Sequence, residues 1–202
     1  MSEPRRSSAE THDALLSGGP PLIRSNCYVL TGGVGFGKTA LIAQLCQAGA
    51  YSAIPEFAAE LIFEQISLNG DLLPWKGTDS FLAFEAALLS RRVEAYLSMP
   101  DDRLVFADRG IADAIPFFAI DGVPIPEFYL SAARRYRYNR RVFLVPPWAE
   151  IYVQTPIRPQ TFDESARIGQ LVIDTYRELG YDLIEVPRTG LPDRAKFVLA
   201  NL

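Results

Sequence analysis

The sequence predicts a single three-layer α/β domain, in which helices cover both faces of a five-stranded parallel sheet. Two observations predict it: five short apolar runs alternate with helical segments, and a glycine-rich turn separates the first run from the first helix. Parallel strands need crossover helices, and a sheet covered on both faces has apolar strands. The predicted strands lie near residues 28–30, 52–55, 104–107, 142–145 and 183–186.

Helical spacing of apolar residues predicts the layers that cover this sheet. One helix follows the glycine-rich turn, and others lie near residues 58–66, 81–97, 162–179 and 191–199. The region 111–140 is also predicted to be helical, with interruptions around residues 121–122 and 124–126. A chain of 202 residues, 49% of them hydrophobic, can bury a substantial core within one such domain.

Composition and charge exclude several classes of function. The net charge of −4 argues against a general nucleic-acid binder, so we expect no stable nucleic-acid partner. The chain has a single histidine, His12, which argues against histidine catalysis and histidine-rich metal sites. Its two cysteines, Cys27 and Cys46, are not expected to form a disulfide or a metal pair. We expect both cysteines to be small core residues.

One basic cluster consists of Arg134, Arg135, Arg137, Arg140 and Arg141, interleaved with two tyrosines. Arginine with tyrosine can hold a phosphate-rich partner or stack on bases, and a nucleic-acid-linked NTPase would rest on this cluster alone. Positive charges near a helix C-terminus also suit the helix dipole. The acidic net charge favours this second interpretation.

The first 24 residues differ in composition from the rest. Residues 1–24 are rich in serine, proline, glycine and charge, which predicts a flexible leader before a domain spanning residues 25–202. No apolar run is long enough to span a membrane, and the start lacks the apolar centre of a signal peptide. We therefore expect no transmembrane segment and a cytoplasmic location.

The turn after the first strand carries the strongest functional signal. Residues 32–39 fit the G-x-x-x-x-G-K-[ST] pattern of a phosphate-binding P-loop, or Walker A motif. Its glycines, at positions 32, 33, 35 and 37, are expected to take positive φ angles and to turn backbone N–H groups towards a β-phosphate. The N-terminus of the next helix adds positive charge. The predicted nucleotide-binding residues here are Gly32, Gly33, Val34, Gly35, Phe36, Gly37, Lys38, Thr39 and Ala40.

Two charged or polar pairs have predicted roles around the phosphates. Lys38 can reach the β- and γ-phosphates, and the Thr39 hydroxyl can ligate Mg²⁺. Asp108 directly follows the third strand, where a carboxylate can complete the Mg²⁺ shell, and Arg109 can hold a phosphate or substrate oxyanion. The alternative is that Asp108 caps the next helix and Arg109 pairs with a surface acid.

Glu56 lies at the end of the second strand, which is predicted to neighbour the P-loop. A carboxylate there could accept a proton from a substrate hydroxyl near the γ-phosphate. Glu60 and Glu64 follow at i+4 spacing, so a solvated acidic helix face is the alternative.

Recognition of the nucleotide base is only weakly specified. The chain lacks the N-K-x-D motif of guanine-binding switches, which favours ATP and leaves GTP as the alternative. Arg188, after the fifth strand, could line the base pocket, or belong to an ordinary surface turn. Trp75 and Trp148 could wall the acceptor pocket, or anchor the core.

Four segments in this order resemble a known family: residues 28–39, 55–62, 106–113 and 143–152, with a looser match at 176–187. The combination resembles small P-loop AAA-domain proteins grouped with the ribosylnicotinamide kinase domain and with translocation-defect nucleotide-binding proteins. The resemblance implies a P-loop NTPase fold of the nucleoside/nucleotide-kinase type. It also implies a phosphoryl-acceptor pocket near the acidic residues that follow the second and third strands.

Two positions depart from that family's pattern. Ala59 stands where such proteins often have an arginine, and Arg158 is followed by Pro159 where adjacent arginines are usual. Arg158 and Arg167 remain candidates for phosphate clamps supplied by a lid-like segment at residues 153–168.

Together these residues predict an ATP- and Mg²⁺-dependent phosphotransferase whose acceptor is a small hydroxylated molecule, for instance a nucleoside-like one. The predicted catalytic residues are Lys38, Asp108, Glu56, Arg109 and Arg158. The alternative is an ATP- or GTP-binding switch with slow hydrolysis, which recognises a protein or lipid partner in one nucleotide state.

Overall fold

The computed structural model describes residues 19–155 and 160–202. The strands are β1 (Leu22–Arg24), β2 (Cys27–Thr31), β3 (Ser52–Ile54), β4 (Val105–Asp108), β5 (Tyr136–Tyr138), β6 (Arg141–Leu144) and β7 (Asp182–Glu185). The helices are α1 (Lys38–Ala48), α2 (Phe57–Ser67), α3 (Thr78–Ser98), α4 (Ile115–Ile120), α5 (Glu127–Arg135), α6 (Phe162–Glu178) and α7 (Leu191–Ala200). Short 3₁₀ turns are formed by Ile111–Ala114 and Ala149–Ile151.

The main sheet has five parallel strands in the order β3-β4-β2-β6-β7. Each of the five predicted apolar runs forms one of these strands, so the predicted fold class is confirmed. β2 lies in the middle, and all five of its residues are buried because helices cover both faces of the sheet.

The carboxyl ends of β2, β3 and β4 meet at one edge of this sheet. Leu30 of β2 is level with Asp108, the last residue of β4, and Ile54 of β3 is level with Ala107. β4 lies between β2 and β3, so the prediction that the second strand neighbours the P-loop strand is wrong. The P-loop, Asp108 and Glu56 still lie at the carboxyl ends of three consecutive strands of the sheet, which is where parallel α/β sheets bind ligands.

Two apolar cores lie on opposite faces of the sheet. Successive strand residues point to opposite faces, so Val29 joins one core while Tyr28 and Leu30 join the other. The first core packs against α3, α4, α5 and α6, and the second against α1 and α7. A smaller cluster, which includes Leu61 and Leu88, holds α2 against α3.

A second, two-stranded sheet pairs β1 with β5 in parallel. The prediction that residues 136–140 continue a helix is wrong, because α5 ends at Arg135 and β5 follows at once. Burial explains the difference: Tyr136 and Tyr138 alternate into the core, where both rings contact Tyr96 edge-on.

β1 consists of the last three residues of the segment that was predicted to be a leader. It pairs with β5 along its whole length, so residues 22–24 belong to the folded domain. Residues 1–18, which include His12, lie outside the described residues.

The arginine cluster is divided between several elements, so its interpretation as one helix face is wrong. Only Arg134 and Arg135 lie in the last turn of α5. The Arg137 guanidinium lies 3.9 Å from the centre of the Tyr181 ring, and Arg140 pairs with Asp182 at 2.9 Å. These side chains hold β5 and β6 against the α6–β7 connection and the start of β7.

Both cysteine thiols lie apart and unbridged, as predicted, with Cys27 buried and Cys46 partly buried against the second core. Across residues 19–155 and 160–202, no helix combines the length and the apolar composition needed to cross a membrane.

Candidate active site

The P-loop joins β2 to α1 through backbone conformations that favour glycine. Gly32, Gly35 and Gly37 have φ angles of 131°, 80° and 83°, a region that residues with a Cβ rarely occupy. Gly33 was also expected to have a positive φ, and this expectation is wrong. Glycine is needed there for a different reason: a Cβ would lie 2.3 Å from the backbone carbonyl oxygen of Ser165 in α6.

Lys38 begins α1, and its side chain folds back onto the P-loop. Its Nζ donates hydrogen bonds to the carbonyl oxygens of Gly33 at 2.6 Å and Gly32 at 3.2 Å. The residue is buried, and burial, together with the nearby Arg109 charge, lowers the pKa of Lys38 to about 8. A phosphate oxyanion bound here would favour the charged form of Lys38.

Thr39 and Asp108 form a pair of oxygen ligands at the end of β4. The Thr39 hydroxyl donates to Asp108 Oδ2 at 2.5 Å, whereas Asp108 Oδ1 is buried and has no hydrogen-bond partner among the described residues. Burial raises the pKa of Asp108. An unpartnered carboxylate oxygen beside a hydroxyl suits Mg²⁺, which in phosphate sites binds one or two protein oxygens.

The alternative role of Asp108 as a helix cap is wrong. Gly110, not Asp108, is the residue that precedes the 3₁₀ turn Ile111–Ala114, and the Gly110 N–H donates to Asp113 Oδ2 at 2.7 Å. The Asp108 carboxylate therefore contacts the P-loop through Thr39 and does not cap the turn.

Arg109 is buried against the P-loop, so the alternative of a surface ion pair is wrong. Its Nε donates to Glu56 Oε1 at 2.8 Å, and its Nη1 donates to the Gly32 carbonyl at 3.0 Å and to Asp113 Oδ1 at 3.3 Å. Burial alone would lower the pKa of Arg109, but the surrounding carboxylates raise it. Its φ of 74° is unusual for a residue with a Cβ, and such strain is concentrated at functional sites.

Asp113 holds Arg109 in place, although no sequence motif marks it. Asp113 is fully buried, and its carboxylate accepts hydrogen bonds from the hydroxyls of Thr31 and Tyr176, both at 2.6 Å. These bonds connect β2, the 3₁₀ turn and α6 around one buried charge. The one sequence signal is that Asp113 is a lone acid in the apolar run 111–115.

Glu56 precedes α2 directly and differs from the two glutamates that follow it. Its side chain is 19% exposed and pairs with Arg109. Glu60 is exposed, and the Glu64 side chain pairs with Arg91 of α3. A solvated acidic face therefore describes Glu60 and Glu64 but not Glu56.

Two adjoining cavities open at this sheet edge. The smaller has a volume of about 270 Å³ and is lined by residues 34–40 of the P-loop and by side chains from 151–155. The larger has a volume of about 670 Å³ and lies among α2, α3, α4 and α6. Both are lined by Val34, Glu56 and Arg109. Glu56 and Arg109 therefore lie at the boundary between the two cavities.

A family model described as an AAA domain matches residues 27–194, which include the P-loop, Glu56 and Asp108. The chain belongs to the AAA domain family. No curated protein matches the sequence.

Solved kinase structures share the fold of this AAA domain. Shikimate kinase from Acinetobacter baumannii, in complex with shikimate, has a TM-score of 0.57 and 16% identity over 91% of this chain and 93% of that chain. Deoxyadenosine kinase from M. mycoides, with the products dCMP and dCDP, has a TM-score of 0.64 and 12% identity over 87% and 97%. The NadR protein in complex with NR has a TM-score of 0.62 and 16% identity over 88% of this chain and 50% of that chain. These similarities show a P-loop nucleotide-kinase-like fold.

Two arginines of this AAA domain lie on the α7 side of the P-loop. Arg188, predicted from sequence, donates from Nε to the Pro147 carbonyl at 2.7 Å. Arg194, which the sequence did not mark, is buried and donates to the Phe36 carbonyl at 3.4 Å. Its guanidinium lies 5.9 Å from the Trp148 ring, and its buried Nε has no partner in the described part of the chain.

The larger cavity of the AAA domain contains both expected and unexpected side chains. Trp75 lines it and is 58% exposed, so the alternative that Trp75 anchors the core is wrong. The exposed Arg167 also lines it. Arg167 lies on α6, which begins at Phe162, so the second half of the predicted lid-like segment 153–168 is helical. Glu85 and Arg92 of α3 line it as well, and the sequence did not mark either. Arg158 lies outside the described residues.

Proposed function

We propose that the protein is an ATP- and Mg²⁺-dependent phosphotransferase, which transfers a γ-phosphoryl group to a small hydroxylated acceptor. The observation that carries this proposal is that the P-loop cavity and a larger cavity meet at Glu56 and Arg109. A hydrolase needs room only for water beside the nucleotide, whereas about 670 Å³ is the size of a small-molecule site. The shared fold with shikimate kinase and deoxyadenosine kinase supports the same function.

The nucleotide and its metal would be held by Lys38, Thr39 and Asp108. Lys38 would exchange its bonds to P-loop carbonyls for bonds to β- and γ-phosphate oxygens. Thr39 and Asp108 would hold Mg²⁺, which when bound offsets the negative charge of the phosphates. Within residues 19–155 and 160–202, no group of three or more His, Cys, Asp or Glu side chains could hold a metal. In nucleotide sites Mg²⁺ is usually bound by one or two carboxylates together with substrate phosphates.

The transfer step would take place between Glu56 and Arg109. Glu56 would accept the proton of the acceptor hydroxyl as the hydroxyl oxygen bonds to the γ-phosphorus. The bond from the γ-phosphorus to the β,γ-bridging oxygen would break, and ADP would leave. Arg109, held by Asp113, would donate to the transferring phosphoryl group, and Arg158 would add a second positive charge.

The base of the nucleotide would lie towards Arg188, Arg194 and Trp148. Arg188 contacts the turn after β6, and Arg194 contacts the turn that precedes α1. A guanidinium at either place can stack on a base. We propose ATP as the nucleotide because the guanine-reading N-K-x-D motif is missing from the sequence.

Acceptor-dependent turnover of ATP tests the proposal. Purified protein with Mg²⁺ would be assayed alone and with a panel of nucleosides, nucleotides and sugars, with Lys38→Ala as the inactive control. We expect ADP release that depends on one class of acceptor, together with a phosphorylated product. Tight nucleotide binding with slow hydrolysis that no acceptor accelerates would overturn the proposal in favour of a nucleotide-dependent switch.

A further inference from the structure

Apart from Glu56 and Arg109, the polar side chains of Glu85 and Arg92 line the larger cavity. Both contact the hydroxyl of Tyr129, which is buried and does not itself line the cavity. We call Glu85, Arg92 and Tyr129 the polar cluster. Glu85 and Arg92 are seven residues apart on α3, so they lie on the same face about two turns apart. Tyr129 of α5 lies between them, with its hydroxyl 3.5 Å from Glu85 Oε2 and 3.4 Å from Arg92 Nη1.

The hydrogen-bonding capacity of the polar cluster is largely unused. Glu85 and Arg92 are 4% and 6% exposed. The long contacts to Tyr129 are the only side-chain hydrogen bonds that either makes within the described residues, and no ion pair within 4 Å joins the two. Burying charged groups with so few partners is unfavourable unless something else satisfies them. Since both side chains line the cavity, a ligand can do so.

The rest of the cavity wall limits the kind of ligand. Its lining includes aromatic and aliphatic side chains from α2, α3, α4 and α6, among them Ile62, Phe81, Phe84, Phe117 and Ile168. Trp75 adds a flat, exposed ring. Such a wall favours a flat apolar body, and the polar cluster then faces one edge of it.

We propose that the polar cluster binds the edge of a neutral planar heterocycle in the acceptor, where an N–H donor lies beside a hydrogen-bond acceptor, as in a nucleobase. The Glu85 carboxylate accepts from the N–H, and the Arg92 guanidinium donates to the neighbouring ring nitrogen or carbonyl. This inference rests on the proposed function, because the hydroxylated part of the same molecule faces Glu56 and Arg109.

The same geometry disfavours other acceptors. A ligand carboxylate could pair with Arg92, but it would then lie close to the buried charge of Glu85. A sugar has no planar edge with a donor beside an acceptor, so its binding would leave Glu85 and Arg92 without hydrogen-bond partners. Buried polar sites reject ligands that leave their polar groups unpaired. Burial raises the pKa of Glu85 to about 7, so the carboxylate ionises within the physiological range.

Direct binding measurements test this inference without requiring phosphotransfer. Adenosine, guanosine, cytidine and uridine would be titrated into the full chain by calorimetry, with and without ADP and Mg²⁺. Ribose and shikimate serve as probes that lack a planar donor–acceptor edge. We expect at least one of the four nucleosides to bind and neither ribose nor shikimate to do so.

Variants then locate the contact. Glu85→Gln and Arg92→Lys should each weaken binding of that nucleoside by about tenfold to a hundredfold. The first variant loses the charge of the acceptor, and the second loses the planar pair of guanidinium donors. Glu94→Gln and Arg91→Lys are matched controls on the same helix, since Glu94 is exposed and Arg91 pairs with Glu64, and both should bind as the parent does. Tyr129→Phe removes only the hydroxyl and gives a second probe if either charged variant misfolds.

Each outcome is decisive. Absence of binding by all four nucleosides, or equal affinity of the parent and the polar-cluster variants, would overturn the inference. Phosphorylation of ribose or shikimate without nucleoside binding would leave the proposed function standing and this inference refuted. Nucleoside binding that depends on Glu85 and Arg92, without any transfer of phosphate, would support this inference and refute the proposed function.

Discussion

At the scale of single residues, Glu56 and Glu85, two of the glutamates that line the larger cavity, have contrasting surroundings. Glu56 pairs with Arg109 at 2.8 Å, beside the P-loop. Glu85 is more deeply buried, and its pKa is raised to about 7, mainly by burial and against the opposing effect of Arg92. Surroundings that differ in this way give two carboxylates different chemical roles. We therefore propose different roles for the two residues, proton transfer for Glu56 and recognition for Glu85.

Glu56→Gln tests the first assignment. The amide keeps the size of the side chain but cannot accept the proton, so transfer should fall by about a hundredfold or more. ATP affinity should change little, because Lys38 and the P-loop backbone hold the phosphates. Glu60→Gln, at an exposed position in the first turn of α2, is the control and should leave turnover unchanged. Equal rates of transfer by Glu56→Gln and the parent would refute the assignment.

Glu85→Gln also tests the raised pKa of Glu85, through the pH dependence of stability. The pKa of Glu85 is about 7 in the folded chain and 4.5 in the reference state. Its protonated form is therefore favoured by folding, and this contribution is full below pH 4.5 and is lost as the pH rises through 7. The groups that act on Glu85 are Arg92, Tyr129 and Asp121.

Glutamine remains neutral at every pH, so Glu85→Gln should gain stability relative to the parent as the pH rises. The gain should reach about 3 kcal/mol above pH 7, measured as the difference in free energy of unfolding in urea. The exposed Glu94→Gln should show a flat difference across the same range. A flat difference for Glu85→Gln as well would contradict a raised pKa at this position.

The residues that the sequence identified and those that it missed differ in a physical way. The P-loop, Asp108 and Arg109 follow predicted strand ends, so a local pattern places them. Asp113 depends on Thr31, which is 82 residues away, and Arg92 depends on Tyr129, which is 37 residues away. On a predicted amphipathic helix, charged residues indicate a solvated face, and only the packing of the other helices shows that Glu85 and Arg92 are buried.

At the scale of elements, the strands differ in how strongly their sequence marks them. Each strand of the main sheet lies within an apolar run bounded by turns or helices, which is a strong signal for buried parallel strands. β1 and β5 have three residues each, too few to establish an alternating pattern. The apolar and aromatic residues of β5 also continue the helical region before it, so the local pattern favours the wrong structure there.

The contact between α6 and the P-loop is an element-level feature that a single methyl group can test. In Gly33→Ala the new Cβ would lie 2.3 Å from the Ser165 carbonyl oxygen, a backbone atom that cannot swing away. Either the P-loop or α6 must move, so we expect weaker ADP binding and a loss of about 1–3 kcal/mol in stability.

Gly190→Ala is the control for ADP binding in that experiment. Gly190 has a φ of −56°, and the nearest atom to a Cβ there is 3.9 Å away, so ADP affinity should be unchanged. Calorimetric titration of ADP into both variants compares them directly. Parent-like ADP affinity in a folded Gly33→Ala would show that α6 does not constrain the P-loop.

At the scale of the whole molecule, the fold separates the part that holds β1 from the part that holds the site. The Tyr96 hydroxyl lies 2.7 Å from the Leu22 carbonyl of β1 and 2.9 Å from the Arg137 carbonyl of β5. None of these residues lines either cavity of the candidate site. Stability and ligand binding should therefore respond independently to changes at this position.

Tyr96→Phe should lower the free energy of unfolding by about 1 kcal/mol, since it removes a hydrogen bond from a buried junction of two strands and a helix. ADP affinity should stay at the parent value, because the main sheet and the P-loop keep their packing. Tyr51→Phe is the matched control, as the Tyr51 hydroxyl makes no hydrogen bond with other described residues. Urea unfolding of both variants measures the difference. If Tyr96→Phe is as stable as Tyr51→Phe, the second sheet does not depend on this hydroxyl, and the backbone pairing with β5 is enough to hold β1 to the domain.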